Sequence, residues 1–291
     1  MMYTSFDNTG ILRVLSYLKS HNSEFLSGQD LSDVLKISRV AVWKHVKKIR
    51  SLGYKVESKH HLGYKLTDST DLLLPWEVTQ NLDTKLLGKR AFYFDTIDST
   101  QNFAAKIASN HNENGTIIVS KHQTDGKGRL KRKWESPTGG IWMSIIIQPE
   151  FNISYITLVP IATSLALCIA IEKILKIKPK LKWPNDVLVE NSKISGVLLE
   201  SFDDFIVAGI GLNILNKPQN EIKWKTTKLY DHINKDFSLK HIANVILKIT
   251  FKNYAIWEDK GFNFFNISIK SLIIASRFCL LMLKDINPPL I

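Results

Sequence analysis

The 291-residue chain contains only two cysteines, Cys168 and Cys279, which are too few for a disulfide framework or a cysteine-rich metal site. The first residues lack the continuous apolar core of a signal peptide. The most apolar later stretch, residues 267–283, is interrupted by Lys270 and Arg277 and is too short to span a membrane. We therefore expect no metal-binding residues, no membrane partner and a location in the reducing cytoplasm.

Two common phosphate-binding signatures are also missing. The G-x-x-x-x-G-K-[ST] spacing of a Walker loop does not occur, and the G-x-G of Gly126 and Gly128 is not followed by the third glycine of a dinucleotide-binding fold. Five of the other seven residues between Gly126 and Trp134 are Lys or Arg. Because the glycines permit positive φ and close approach while the cations supply donors, this cationic loop (residues 126–134) suits a phosphate or carboxylate. A solvated basic turn is the alternative.

Acidic residues are few relative to basic ones. The chain has 27 Asp and Glu against 39 Lys and Arg, so its formal net charge is +12. This balance favours a polyanionic partner such as nucleic acid or nucleotide phosphate, although a basic surface alone would give the same count. The length and the 44% hydrophobic composition fit two or three globular domains.

Residues 1–66 have the element order of a winged helix-turn-helix domain. A helical apolar pattern starts at Ile11, a second helix is predicted to begin at Ser27, and Ser38 can cap a third helix. Two short alternating segments, residues 54–58 and 63–66, then read as the strands of a wing. A small helical domain whose charges only solvate it is the alternative.

Charge favours DNA as the partner of this domain. Its eleven Lys and Arg against five Asp and Glu give a local balance of +6, which fits phosphate neutralisation. In a helix-turn-helix the third helix enters the major groove. The predicted DNA-binding residues are Ser38, Arg39, Lys44, His45 and Lys48.

Residues 76–262 form the second predicted domain and follow a linker at residues 67–75. We expect one mixed or antiparallel sheet with helices on one side, with Asp98 capping the first helix and Cys168 in the core of the second. Strands are predicted at residues 90–96, 116–121, 141–148, 180–183, 186–190, 194–201 and 205–210, and helices at 99–108, 157–175 and 241–257.

Six short motifs stand in order along this domain. They are Asp98-Ser99-Thr100-Gln101-Asn102, His122-Gln123, the cationic loop, Lys182-Trp183-Pro184-Asn185-Asp186, Lys193-Ile194-Ser195-Gly196-Val197-Leu198-Leu199-Glu200 and Gly209-Ile210-Gly211-Leu212-Asn213. Each alone has an ordinary explanation, such as a helix cap, a Trp-Pro turn or a surface lysine. Together they resemble, in order and spacing, the motifs of biotin protein ligases. Since the resemblance runs from residue 11 to about residue 262 and includes the helix-turn-helix, the chain resembles the bifunctional ligases that also repress the biotin operon.

The resemblance implies an α+β protein with a winged helix-turn-helix, a central mixed-sheet domain of the class II synthetase and biotin ligase type, and a C-terminal β-barrel. It implies that the biotin carboxylate attacks the α-phosphate of ATP, accompanied by Mg²⁺, to form biotinyl-5′-AMP. A lysine of a biotin carboxyl carrier protein then takes the biotinyl group. It further implies a ligand-promoted homodimer on a two-fold operator DNA.

The resemblance also implies roles for individual residues. Lys193 and Arg129 are the expected catalytic residues. Biotin binding is expected of Ser99, Thr100, Gln101, Gln123, Lys127, Gly128, Arg129, Lys193 and Gly196. ATP binding is expected of Gly126, Arg132, Trp134, Asn185 and Asn213, with Trp134 packing on adenine.

The chain departs from the family pattern at four places. Position 127 is Lys where many members have Arg, Lys131 stands where relatives often have glycine, and Gln101 replaces an Asn while Asn102 follows it. Residues 263–291 contain no glycine and no barrel pattern, so the β-barrel is expected to be truncated or altered, with an apolar helix docked in its place.

Two other functions are compatible with the sequence. The altered C-terminus favours a biotin-responsive regulator with weak or no ligase activity. A lipoate or octanoyl transferase of related fold is the third possibility, against which the Lys-Trp-Pro-Asn-Asp motif and the DNA-binding domain weigh.

Overall fold

The computed structural model describes residues 2–4, 9–79, 82, 87–108, 113–149, 153–202, 204–216, 225–233, 238–250 and 252. The chain forms two compact units, a smaller one of residues Thr4–Leu72 and a larger one of Met1–Tyr3 and the chain from Leu73 onward. The short strand β1 (Met2–Thr4) belongs to the sheet of the larger unit. Cys279, the predicted docked helix and the rest of the tail at residues 263–291 lie outside the described residues.

The smaller unit is a three-helix domain with a two-stranded wing. Its elements are α1 (Thr9–Ser20), α2 (Gly28–Leu35), α3 (Arg39–Ser51), β2 (Lys55–Lys59) and β3 (Gly63–Asp68). Both predicted caps are confirmed, since the Ser27 hydroxyl accepts a hydrogen bond from the Asp30 backbone N–H at 3.0 Å and Ser38 accepts one from Ala41 at 3.1 Å. Val42, Val46 and Ile49 bury the inner stripe of α3.

The larger unit is built on one eight-stranded mixed sheet. After α4 (Pro75–Val78), its elements are β4 (Ala91–Phe94), α5 (Thr100–Ala108), β5 (Ile117–Ser120), β6 (Gly140–Ile147), α6 (Val159–Leu175), β7 (Lys180–Lys182), β8 (Asp186–Val189), β9 (Ser192–Phe202), β10 (Phe205–Asn213) and a helix at residues 239–250, α7. The strand order is β1-β4-β5-β6-β10-β9-β8-β7. Strands β4 and β5 are parallel, whereas β5 to β10 pair antiparallel, so the predicted mixed sheet is confirmed.

Helices cover both faces of this sheet, so the expectation of helices on one side is wrong. Helix α5 packs with Ile118 and Ile146, whereas α6 and α7 belong to the core that contains Ile117 and Ile145. Neighbouring residues of a strand point to opposite faces. The continuous apolar runs of β5 and β6, which are buried along their whole length, are the pattern of strands covered on both sides.

Helix α6 is the most buried helix of the described chain. A 3-10 turn at Ile153–Leu158 precedes it, and the stretch Ile156–Leu175 has the length and apolar composition of a membrane span. Most of that stretch is buried against the sheet, as in the core helix of a globular domain. Cys168 lies in this core as predicted, and burial raises the pKa of its thiol far above the ordinary value, so it is an unreactive packing residue.

Candidate active site

The cationic loop folds back on itself beside the sheet. The Gly128 N–H donates to the Arg132 carbonyl at 2.8 Å, and the Trp134 N–H donates to the Gly126 carbonyl at 2.8 Å. Positive φ was expected at the glycines, but it occurs at Leu130 (56°) and Lys131 (58°), whereas Gly128 is extended. Gly126 is required for a different reason, because a Cβ there would lie 2.4 Å from the Trp134 carbonyl oxygen.

The start of α5, residues 99–101, forms a polar surface that we call the polar wall. The residue that caps α5 differs from the prediction. The Ser99 hydroxyl accepts from the Gln101 N–H at 3.2 Å, so Ser99 caps the helix, while Asp98 accepts the Asn102 side-chain amide at 2.6 Å. Burial raises the pKa of Asp98, but hydrogen bonds from Asn102 and the Ser99 backbone and the charge of Lys127 outweigh it and leave that pKa below its usual value. Asp98 therefore stays ionised and holds the Asn102 side-chain amide.

A hydrogen-bond network joins this wall to the sheet. Gln123 accepts from the Thr100 N–H at 2.7 Å, and the Thr100 hydroxyl lies 2.9 Å from the Ser144 hydroxyl. Ser144 donates to Gln101 Oε1 at 3.0 Å, and Gln101 Nε2 donates to the Val207 carbonyl at 3.0 Å. Because these side chains satisfy one another, the wall is held rigid before any ligand enters.

Lys193, Asp186 and Trp134 form a second cluster of side chains. The Lys193 ammonium lies 3.2 Å from Asp186 Oδ1 and 4.9 Å from the centroid of the Trp134 ring. The Trp134 ring lies against Gly196 and Gly211, and a Cβ at Gly211 would be 2.5 Å from the indole Nε1. That Nε1 is buried and finds no hydrogen-bond acceptor within the described part of the chain.

Arg129 connects the cationic loop to the turn before β8. Its Nη1 donates to Asn185 Oδ1 at 3.0 Å, and the Asn185 amide in turn donates to the Val197 carbonyl at 2.7 Å. Lys127 makes a looser contact, with its Nζ 3.9 Å from Glu200 Oε1. The loop is thus tied to strand β9 and to the turn before β8.

One pocket gathers most of the residues that the motifs single out. Its lining includes Ser99, Thr100, Gln101, Gln123, Lys127, Gly128, Arg129, Arg132, Trp134, Asn185, Lys193 and Gly196. Gly126 and Asn213 are not part of the lining, and the Asn213 amide donates instead to the Thr227 carbonyl at 3.4 Å. Of the two neighbouring amides, Gln101 lines the pocket and Asn102 does not.

Several lining residues were not assigned a role from the sequence. Ser144, Asp186 and Gly211 line the same pocket. Asp186 and Gly211 stand inside the recognised motifs, but Ser144 does not. Its signal is chemical, since Ser144 is the single hydroxyl residue of the otherwise apolar strand β6.

The DNA-binding prediction maps onto α3 unevenly. Arg39 and Lys44 are exposed, and so is Lys47, which was not singled out. The Ser38 hydroxyl is engaged in the helix cap. His45 is half-buried with its ring against Gly10, and burial lowers its pKa. Lys48 is also half-buried, so the outward cationic face consists of Arg39, Lys44 and Lys47.

Comparisons with known proteins match both units. Residues 93–213 match the Biotin/lipoate A/B protein ligase family, and residues 11–65 match an HTH domain. The Bifunctional ligase/repressor BirA of Bacillus subtilis is 33% identical over 249 residues, which are 82% of this chain and 77% of that protein.

The chain belongs to the biotin/lipoate protein ligase family. The family assignment extends to more distant relatives, since the Bifunctional ligase/repressor BirA of Escherichia coli is 28% identical over 72% of this chain and 64% of its own length. A solved biotin protein ligase from Aquifex aeolicus, in complex with biotin and ATP, is 34% identical and superposes with a TM-score of 0.54 over 62% of this chain and 76% of that one. As a family member the chain has its ligase region in the larger unit and its HTH region in the smaller unit.

Proposed function

We propose that this protein is an ATP-dependent biotin protein ligase that also represses transcription in response to biotin. It forms biotinyl-5′-AMP, transfers the biotinyl group to a lysine of a biotin carboxyl carrier protein, and binds operator DNA through its smaller unit. The observation that carries the ligase half is the convergence of Lys193, Arg129 and most other residues of the cationic loop on one pocket with a neutral polar wall. A mixed arrangement of this kind suits a ligand with an uncharged polar end and a polyanionic end.

The first step joins biotin to ATP. A biotin carboxylate oxygen bonds to the α-phosphorus, and the bond from that phosphorus to the pyrophosphate oxygen breaks. Negative charge grows on the phosphoryl oxygens and the leaving pyrophosphate, so fixed cations lower the barrier. We assign this task to Lys193 and Arg129, assisted by Lys127 and Arg132.

Mg²⁺ would enter with the nucleotide. Among the described residues there is no cluster of three or more His, Cys, Asp or Glu side chains that could hold a metal ion by themselves. Mg²⁺ commonly keeps several waters and binds through substrate phosphates with one or two carboxylates. The Asp186 carboxylate lines the pocket and is suited to bind Mg²⁺ together with the substrate phosphates.

The polar wall is assigned to biotin. Biotin carries a neutral ureido group that needs both donors and acceptors, and the wall offers hydroxyls and amides that are already fixed. We assign biotin binding to Ser99, Thr100, Gln101, Gln123, Lys127, Gly128, Arg129, Lys193 and Gly196. Ser144 joins this set because it links Thr100 to Gln101.

The Gly196–Gly211 surface is assigned to the adenine side of ATP. The aromatic ring of Trp134 lies against these two glycines. Adenine is also a flat aromatic group and can pack on the Trp134 ring. We assign ATP binding to Arg132, Trp134 and Asn185 in the lining, with Gly126 and Asn213 acting from outside it. The buried Trp134 Nε1 is a donor for which a ligand can supply the acceptor.

The second step transfers biotin and requires a dry site. The carrier lysine amine bonds to the acyl carbon, and the bond from that carbon to the AMP phosphate oxygen breaks. Lys193 stabilises the negative charge that develops on the acyl oxygen. Since water would hydrolyse the mixed anhydride, the cationic loop closes over the adenylate and is held through Arg129 and Asn185.

The repressor half rests on the smaller unit. Its match to an HTH domain and the cationic face of α3 support binding to DNA. We infer that adenylate favours a homodimer, which places two such units on a two-fold operator in the bacterial cytoplasm.

The test is to incubate the protein with biotin, ATP and a biotin carrier domain and to blot with streptavidin. Labelling of the carrier lysine that requires both substrates is expected. Labelling with lipoate or octanoate instead of biotin would assign a different acyl group. No labelling, with DNA binding that still responds to biotin, would leave a regulator without ligase activity.

A further inference from the structure

Two large apolar side chains stand on the outward face of the third helix of the smaller unit. Val40 is 62% exposed and Trp43 is 52% exposed, although both occur on a helix whose inner stripe is fully packed. Positions 40, 43, 44 and 47 share one face of a helix. The pair therefore lies among the same cations, Lys44 and Lys47, that form the outward face of α3.

The Trp43 ring is held by one of these cations. The Lys47 ammonium lies 5.3 Å from the ring centroid, which is within the range of a cation–π contact. This contact restrains the side chains of Trp43 and Lys47 on the exposed face. Apolar surface that is exposed within a positively charged face is typical of a binding site, here for a partner that is negatively charged and also presents apolar groups.

The major groove of DNA meets both requirements. Phosphates line its edges, and the C5-methyl of thymine is an apolar group exposed on its floor. Val40 and Trp43 lie in the N-terminal half of α3, the part of a recognition helix that reaches base edges. Lys44 and Lys47 are then placed to contact the flanking phosphates.

We propose that Val40 and Trp43 read thymine methyl groups in the major groove, so that each operator half-site carries thymines at the positions facing these two side chains. This inference rests on the proposed repressor function. It adds a base preference that the cations alone do not supply, since contacts to phosphates carry no sequence information.

The test begins with the full-length protein, biotin and ATP, and a randomised DNA duplex library from which bound duplexes are selected. The enriched duplex is then synthesised with deoxyuridine in place of thymine, one position at a time, which removes a single methyl group. We expect at least one such replacement in each half-site to weaken binding by wild type about fourfold, the value of one buried methyl-sized group.

Variants assign the effect to residues. Val40→Ala and Trp43→Ala should each lose the discrimination between thymine and deoxyuridine at the position they face, while Trp43→Phe should keep part of it. Val34→Ala is the matched control, because Val34 is 51% exposed but belongs to α2 and not to the recognition helix. Lys44→Ala should weaken binding to all duplexes and keep the methyl discrimination. Unchanged thermal melting establishes that each variant is folded.

The outcomes separate this inference from the function beneath it. Failure to enrich any duplex would overturn the repressor function itself. An enriched duplex that wild type binds equally well after every deoxyuridine replacement would overturn the methyl-reading proposal and leave the repressor function standing. If the Trp43→Ala variant kept full methyl discrimination but no longer formed a dimer, the methyl-reading proposal would also be overturned. This face would then be an interface between copies of the chain.

Discussion

Gly196 on β9 and Gly211 on β10 are paired directly across the two strands, and the indole of Trp134 lies against both. Neither position has a side chain that would hold the ring away from the sheet. This pairing makes a flat surface for an aromatic ring. We assign this surface to the nucleotide, whereas the polar wall is assigned to biotin.

Gly211→Ala should weaken ATP binding and leave biotin binding close to wild type. The added methyl would lie 2.5 Å from Trp134 Nε1, so the ring must leave the glycine surface. Thermal shift with each ligand alone separates the two affinities, because ligand stabilisation follows affinity. Gly28→Ala is the control, since the nearest atom to a Cβ there is 3.7 Å away. An equal loss of both ligand shifts would contradict the separation of the two sides.

Arg129→Gly should make the enzyme release its adenylate early. The change removes the 3.0 Å hydrogen bond to Asn185 that ties the loop to the turn before β8. Biotinyl-5′-AMP would then escape and label lysines indiscriminately. Streptavidin blotting of a mixture of the carrier domain and serum albumin measures the indiscriminate labelling. Lys131→Gly, in the same loop, is the control and should retain the adenylate. Albumin labelling no higher than with wild type would show that Arg129 does not hold the lid.

The sequence predicted best what local chemistry controls. The caps at Ser27 and Ser38 were found because each serine directly precedes its helix and bonds within it. The expectation that the helices lie on one side of the sheet was wrong, since the position of α5 is decided by its packing with Ile118 of β5 and Ile146 of β6. The pairing of Gly196 with Gly211 was also beyond sequence reasoning, because strand register brings them together.

The backbone conformation of the cationic loop also could not be predicted from its sequence. Gly126 and Gly128 were predicted to provide positive φ, but Leu130 and Lys131 do so. Composition identifies a turn, whereas the hydrogen bonds that close it decide which residue adopts the left-handed conformation. Ser144 escaped notice because a lone serine in an apolar strand carries no motif, although its partners Thr100 and Gln101 were recognised.

Lys44→Ala should weaken DNA binding to all duplexes by a similar factor and reduce the slope of log affinity against log salt concentration by about one. Lys44 is exposed on α3 and is expected to neutralise one phosphate. Fluorescence anisotropy with the enriched duplex at several salt concentrations measures the slope. Lys106→Ala, on the exposed side of α5, is the control. A slope equal to that of wild type would remove Lys44 from the DNA interface.

His45→Gln should flatten the pH dependence of stability in the smaller unit. Burial lowers the pKa of His45 from its ordinary value of 6.5, so the unfolded state binds the proton more readily. The contribution of His45 to the free energy of unfolding is therefore complete above about pH 6.5 and is lost as pH falls towards the folded-state pKa. Urea unfolding of both proteins between pH 8 and pH 5 measures the difference. Parallel curves would mean that His45 titrates equally in both states.

The most direct test of the account is biotin-dependent pyrophosphate release by Lys193→Ala. The change removes the ammonium that lies beside Asp186 and over Trp134, while Lys106→Ala serves as the matched exposed control. With melting unchanged, we predict a loss of about a hundredfold in rate, equivalent to roughly 3 kcal/mol of transition-state stabilisation. A rate equal to that of wild type would contradict the assignment of this pocket as the site of adenylate synthesis.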